Sequence, residues 1–207
     1  MLSTKTSPQA SATRPFRKAC GVDVVDAIYE RRSVRAFEDY KLGVRTIEHL
    51  IDAAIQAPSA RNEQPWCFTV VQEKHLLHRL SERSKELARA KLEPGTPLWE
   101  HRTMLEDPNY DVFHGATTLI VLCARSDERQ AAEDVCLAAQ NLMLAAHGLG
   151  LGTCPIGFAR DALNEPEFRA ELGIESSETA VFPVVVGLPT SYPSPTPRRP
   201  ALILRWR

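Results

Sequence analysis

Residues 135–146 read Val-Cys-Leu-Ala-Ala-Gln-Asn-Leu-Met-Leu-Ala-Ala, with Gln140 and Asn141 the only polar side chains and no helix breaker. A helix that is apolar nearly all round must be covered on every side. One domain of a 207-residue chain seldom has room for that, so the stretch predicts a helix at a subunit interface, packed against its own copy. Asp127, Glu128, Glu133 and Asp134 precede it as the acids that favour a helix N-terminus. Gly148, Gly150 and Gly152 close it.

The rest of the composition fits such a core: 43% of residues are hydrophobic and 25% charged, and a chain of this length buries roughly 70% of the surface it exposes when unfolded. Lys plus Arg total 25 and Asp plus Glu total 26, a net charge of -1. No summed field draws the chain to nucleic acid or an anionic membrane, so neither is expected as a partner. The longest apolar run, residues 181–186, falls far short of the roughly 20 that span a bilayer. Five cysteines (Cys20, Cys67, Cys123, Cys136, Cys154) form an odd set at irregular spacing, which fits a reducing cytoplasm. Residues 1–21 carry Lys5, Arg14, Arg17 and Lys18 and no acid. They read as a flexible tail, with a targeting peptide as the alternative, before a single domain over residues 22–207.

Val22, Val25, Ile28 and Tyr29 form one helical stripe that runs into Arg31-Arg32-Ser33-Val34-Arg35. Ile47, Leu50, Ile51, Ala54 and Ile55 mark a second helix, stopped by Pro58. Residues 67–71 read as a strand, and Leu76, Leu77, Leu80, Ser84, Leu87 and Leu92 as a charged amphipathic helix. Residues 93–115 hold Pro94, Gly95, Pro97 and Pro108 beside Trp99, His101, Tyr110, Phe113 and His114, which suits an irregular segment or lid. Residues 116–124 read as a strand covered on both faces, 164–172 as a short helix ended by Gly173, and 181–188 as a strand. Residues 190–200, with Pro193, Pro195, Pro197 and Pro200, can only cross a surface. They deliver residues 201–206 as an apolar terminal strand suited to a partner's sheet edge. The order predicts an α+β fold.

Arg31, Arg32, Ser33 and Arg35 place three guanidiniums and a hydroxyl within five residues, a set that can grip phosphate oxygens in pairs or simply solvate a helix end. Arg198-Arg199 is a second basic pair. The loop Pro58-Ser59-Ala60-Arg61-Asn62-Glu63-Gln64-Pro65-Trp66 offers a hydroxyl, two amides and an indole to a planar heterocycle, or Asn62 and Gln64 satisfy only their own backbone. His75 and His78 lack a third ligand, so no metal site is expected. Cys154 has no neighbouring base in sequence and reads as a core thiol. No G-x-S-x-G, P-loop or dinucleotide fingerprint is present; Gly148-Leu149-Gly150-Leu151-Gly152 follows a helix, where that fingerprint must follow a strand.

In order and spacing, the basic cluster, the proline-bounded loop, Ala138-Ala139-Gln140-Asn141-Leu142, Gly148-Leu149-Gly150 and Pro155-Ile156-Gly157 resemble the FMN-dependent nitroreductase family. The resemblance implies a central mixed sheet flanked by helices, in an entwined homodimer whose C-terminal strands reach the partner. It implies FMN held by Arg31, Arg32 and Ser33 at the phosphate, Arg35 near the N1 and O2 edge, and Arg198 or Arg199 closing on the phosphate. Pro58, Ser59 and Ala60 would line the ring from the other chain, with Asn62 and Gln64 supporting them, and Pro155, Ile156 and Gly157 would flank N5. The implied reaction is ping-pong: NADH or NADPH gives hydride to flavin N5 and leaves, then a nitroaromatic, quinone or similar small-molecule electron acceptor takes two electrons. The flavin carries the hydride, so no catalytic side chain is implied. Trp99, Tyr110 and Phe113 are the candidate acceptor contacts. The alternatives are a flavin store or sensor without turnover, and a relative that dehydrogenates a heterocycle or removes a halogen.

Overall fold

The computed structural model describes residues 22–207; the tail expected over residues 1–21 lies outside the described residues. Helix α1 (Val24–Glu30) starts at Asp23, whose carboxylate accepts from the Val25 N–H at 2.8 Å. Its stripe of Val25, Ile28 and Tyr29 stays exposed, as does Val24. An extended segment then runs along the sheet, with the Val34 N–H donating to the Thr153 carbonyl and the Glu38 N–H to the Leu188 carbonyl, both at 2.9 Å.

After it come α2 (Val44–Ala54), β1 (Trp66–Val71), α3 (Lys74–Arg89), α4 (Arg102–Glu106), β2 (Leu119–Ala124), α5 (Arg129–Gly148), β3 (Gly152–Pro155), α6 (Ala159–Leu163), α7 (Pro166–Leu172) and β4 (Thr179–Gly187). The strands lie in the order β1-β2-β4-β3. The expected mixed sheet is instead antiparallel in all three of its pairings. Among the described residues the parallel contact is a single bridge, Ser33 to Thr153.

Every residue of β2 is buried, as the unbroken apolar run requires, because strand periodicity sends alternate side chains to two cores. Leu119, Val121 and Cys123 join Leu76, Leu77 and Leu80 of α3 and Ala159, Ala162 and Leu163 of α6. Ile120, Leu122 and Ala124 join Ile47 and Leu50 of α2 and Val135, Ala138 and Leu142 of α5. The sheet is therefore sandwiched between helix layers, an arrangement consistent with the α+β reading.

Within one chain α5 leaves an outward strip unpacked, as expected of a helix that one domain cannot cover: Cys136 and Gln140 are exposed and Leu137 is 47% exposed. The short helix expected over residues 164–172 is α7, which begins two residues later with Pro166 in its first turn, and a further helix, α6, ends before it at Asn164. Strand β3 was hidden among glycines that read as a helix stop. Residues 201–206 pair with no strand of their own chain, and Leu202, Ile203, Leu204 and Trp206 are exposed. Gly173 ends α7 in the left-handed conformation, φ 69°, as its position predicts.

Gly152 is the tightest glycine. A Cβ there would lie 2.8 Å from Val34 Cγ2 and 2.9 Å from Val34 Cβ. Gly152→Ala should therefore destabilise the fold by about 1–3 kcal/mol through overpacking, read as a lower urea midpoint at unchanged slope. Gly148→Ala, where nothing lies within 4 Å, should leave the midpoint unchanged or raise it. Equal midpoints for the two variants would contradict this account.

Candidate functional site

Helix α1 ends because Arg31 leaves the helical region (φ -54°, ψ 134°), its N–H still bonded to the Ala27 carbonyl at 3.0 Å. The extended segment that follows opens a cavity of about 170 Å³ lined by Arg31, Arg32, Ser33, Arg35, Pro193, Thr196 and Arg198. The proline-rich arm is brought back by Tyr192, whose hydroxyl donates to the Gly150 carbonyl at 2.7 Å. Two basic patches more than 150 residues apart in sequence thus meet in one chain, and Arg198, not Arg199, lines the cavity.

Among the described residues, no acidic side chain lines the cavity with these guanidiniums. Burial pushes Arg31 below its ordinary pKa, and the neighbouring charges of Arg198 and Arg32 push it further. Arg31 Nη1 and Arg32 Nε are buried without a hydrogen-bond partner, a costly state for a charged donor. Arg32 is partly spent elsewhere: its Nη1 donates to the Tyr29 and Arg31 carbonyls at 2.6 and 2.7 Å, closing the end of α1. A phosphate monoester would satisfy the rest. Cys154 is buried; desolvation raises its thiol pKa, while Arg35, a hydrogen bond with Ser33 and Arg31 act against the rise. It is a neutral core thiol beneath the cavity.

In Pro155-Ile156-Gly157, proline has no N–H and the Ile156 N–H is taken by the Pro183 carbonyl at 2.9 Å. The Gly157 N–H has no protein acceptor among the described residues, so it is the one backbone donor this triplet can offer a ligand.

The loop at residues 58–64 is built from internal bonds. Ser59 Oγ accepts from the Gln64 N–H at 3.0 Å, Gln64 Nε2 donates to Asn62 Oδ1 at 3.2 Å, and Arg61 pairs with Glu63 at 2.7 Å. Arg61, Asn62 and Gln64 all adopt positive φ (51°, 57° and 48°). The Ala60 N–H donates to Asp134 Oδ2 at 3.1 Å. No loop residue lines the basic cavity, so one chain does not unite Pro58, Ser59, Ala60, Asn62 and Gln64 with the arginines. Asp134, read from sequence as a helix-start acid, turns inward instead.

The segment at residues 93–115 is less open than expected. It contains a 3₁₀ turn, Pro97–His101, and α4. Its second half is pinned to α3: the Val112 N–H donates to Ser81 Oγ at 3.1 Å, and the buried Lys85 donates to the Pro108 carbonyl at 3.4 Å while pairing with Glu82 at 2.7 Å. Phe113 is 1% exposed inside the core, so its ring cannot cover an acceptor in this arrangement. Trp99 lies 5.1 Å under the Arg102 guanidinium, and His101 packs edge-on against Phe158, next to Gly157, at 6.0 Å. Tyr110 is half-buried and meets the His114 ring at 6.1 Å. A larger cleft of about 480 Å³, lined by Tyr40, Leu42, Thr46, Leu149, Leu151 and Leu188, includes none of the residues expected from sequence to bind cofactor or acceptor.

His114 escaped the sequence reading as a site residue. Asp111 accepts from the Phe113 and Gly115 N–H groups at 3.0 and 2.9 Å, building a turn that holds His114 at φ 57°. Burial first, and then Arg35, lower its pKa, with Asp111 opposing. A histidine that stays neutral in the fold but charges in the unfolded chain contributes stability above its unfolded pKa, about 6.5, and loses it as pH falls through the folded value. Asn tolerates the same backbone, so His114→Asn should lose less stability than the parent between pH 7.5 and 5.5, measured by denaturant unfolding. Parallel stability curves would refute the assignment.

The sequence model of the Nitroreductase family matches residues 28–188. An Archaeoglobus fulgidus protein with the provisional name NADH dehydrogenase/NAD(P)H nitroreductase is 31% identical over 167 residues, 78% of this chain and 83% of its own. A Methanothermobacter thermautotrophicus protein with the same provisional name is 32% identical over 138 residues, 65% of this chain, and the match spans 61% of its length. The crystal structure of a Bacteroides fragilis nitroreductase with bound FMN superposes with a TM-score of 0.76 at 26% identity, covering 90% of this chain and all of that one. The family match covers most of the chain and runs through both the basic segment at residues 31–35 and the proline-bounded loop, so the chain belongs to the nitroreductase family.

Proposed function

We propose that this chain is an FMN-dependent oxidoreductase that takes electrons from NADH or NADPH and passes them in pairs to a nitroaromatic, quinone or similar small acceptor. One observation carries the reading. A cavity walled by Arg31, Arg32, Ser33, Arg35 and Arg198 holds buried guanidinium donors with no partner, in a member of a family with an FMN-bound structural neighbour. When bound, FMN supplies the acceptance and donation of hydride, and the protein supplies orientation and electrostatics.

Arg31, Ser33 and Arg198 hold the phosphate, while Arg32 contributes charge and closes α1. Arg35, whose charge acts on Cys154 and His114, would serve the N1 and O2 edge, where a cation favours the reduced ring. The Gly157 N–H, which has no protein acceptor among the described residues, would be the donor offered to N5. The partner subunit's Pro58, Ser59 and Ala60 complete the ring pocket, with Asn62 and Gln64 bracing that loop. The homodimer follows from the outward strip of α5, the exposed apolar residues of α1 and the exposed C-terminal segment, surfaces whose joint burial suits an obligate interface. Trp99 and Tyr110 flank the acceptor; Phe113, being core, supports them from within. The four cysteines among the described residues are all free thiols, in keeping with a cytoplasmic setting. No helix among the described residues is long and apolar enough to cross a membrane.

The test is titration of apo-protein with FMN, followed by anaerobic addition of NADH or NADPH. Arg31→Ala and Arg198→Ala should each weaken FMN binding about ten- to a hundredfold, the loss of a charge-assisted hydrogen bond of roughly 1.5–3 kcal/mol, and Arg199→Ala should bind as the parent does. Arg35→Ala should lower the midpoint potential, with about 30 mV for each 1.4 kcal/mol of lost differential stabilisation. Yellow protein that neither nicotinamide bleaches would instead be a flavin store, and parent protein that binds no FMN would overturn the reading altogether.

A further inference from the structure

Asp134 carries a carboxylate that is 2% exposed on the inner side of α5. A buried carboxylate is unfavourable unless its oxygens accept hydrogen bonds, and both do. Oδ1 accepts from Gln130 Nε2 and Oδ2 from the Ala60 N–H, each at 3.1 Å. For residues 58–64, every other hydrogen bond among the described residues stays inside the loop: the Asn62 N–H to the Ser59 carbonyl, the Glu63 N–H to the Ala60 carbonyl, and the Ser59, Gln64, Asn62, Arg61 and Glu63 side-chain contacts. Ahead of the Pro65 carbonyl, which accepts from the Arg125 N–H at 2.8 Å, the Asp134–Ala60 bond is thus the one hydrogen bond that ties residues 58–64 to the rest of the described chain.

That tether matters because the loop is conformationally unfavourable. Three consecutive-or-nearly-consecutive non-glycine residues, Arg61, Asn62 and Gln64, stand at positive φ, a state that persists only where the surroundings over-determine it. Internal bonds fix the loop's shape; only an external bond fixes its placement.

We propose that Asp134 is a positioning residue, through which α5 sets the backbone of Ser59 and Ala60 at the flavin. The inference rests on the reading that this loop lines the cofactor. Asp134 touches no ligand; it acts through the Ala60 N–H. The acceptor oxygen, rather than the negative charge, is the working part. Asp134→Asn should therefore retain function, since its amide oxygen can still accept from Ala60 and its NH₂ can donate to a reoriented Gln130.

The experiment uses the full-length protein in three forms: parent, Asp134→Ala and Asp134→Asn. Three quantities are read: FMN affinity by titration, the visible circular dichroism of the bound flavin, and the rate of tryptic cleavage after Arg61, whose side chain is 77% exposed. Asp134→Ala should bind FMN about tenfold more weakly, the low end for a lost charge-assisted hydrogen bond. It should also alter the flavin's dichroic spectrum at saturating FMN and speed cleavage at Arg61, and Asp134→Asn should restore all three. If Asp134→Ala does not fold, Asp134→Ser replaces it, since that hydroxyl is one atom too short to reach Ala60 but can still satisfy Gln130. A folded variant with parental affinity, spectrum and cleavage rate overturns the proposal. So does an Asp134→Asn protein as impaired as Asp134→Ala, because charge would then be the cause. If the parent itself binds no FMN, the functional reading fails, while the cleavage rates still decide whether Asp134 holds the loop.

Discussion

The seating of Val34 over Gly152 is the contact on which the basic site depends. The Val34 N–H is held by the Thr153 carbonyl at 2.9 Å, and its side chain fills the space that the missing Cβ of Gly152 leaves open. In an extended segment successive side chains alternate between two faces. Once Val34 is fixed inward, Ser33 and Arg35 must face the other way, with Arg31 two residues before them on the same side. Arg32, on the inward phase, turns back to the α1 carbonyls. One buried valine thereby sorts four neighbouring polar residues into an anion-facing set and a helix-closing one.

The charge in that set is local. A net charge of -1 over the chain says nothing of a cavity where Arg31, Arg32, Arg35 and Arg198 converge. On α3, by contrast, guanidiniums are paired: Arg79 with Glu167 and Glu171, Arg83 with Glu165 and Glu86. Those pairs lie on α3, on α7 and at Glu165 just before it, and none of them lines the cavity. The contrast has a physical meaning: Arg31 Nη1 is left without a hydrogen-bond partner and its pKa is depressed by burial and by like charge, and on the proposed reading an anion would relieve both.

What sequence alone could reveal follows the range of the interaction concerned. Helix α2, β2 and β4 were legible because period 3.6 and unbroken apolarity are local signals. Strand β3 was not, since Gly152, Thr153 and Cys154 carry no periodicity of their own and become a strand only by pairing with β4. The antiparallel character of the sheet depends on how strands meet, which no segment encodes by itself. At the site, the basic cluster and the proline-bounded loop stood out by composition. The choice of Arg198 over Arg199 required the arm's path, which Tyr192 fixes from 42 positions away. Asp134 was invisible for a related reason: an acid in the first turns of a helix has an ordinary local explanation, and only the fold shows that its partner is Ala60, 74 residues earlier. Phe113 misled because an aromatic among prolines looks exposed until Leu119 and Val121 are seen around it.

The two halves of the site are fixed by different parts of the core. The arginines are set by β3 and the returning arm, the loop by α5 through one hydrogen bond. On the proposed reading the halves meet only across two subunits, and the element that tethers the loop is also the one that leaves Leu137 and Cys136 facing outward. A rigid helix transmits position along its length better than a loop does, so anything that seats the outer strip of α5 against its copy also places Asp134, and through it Ala60. Dimer packing and cofactor geometry would then be set by a single helix, which accounts for why the same apolar stretch that demands a partner carries a buried carboxylate one residue before it begins.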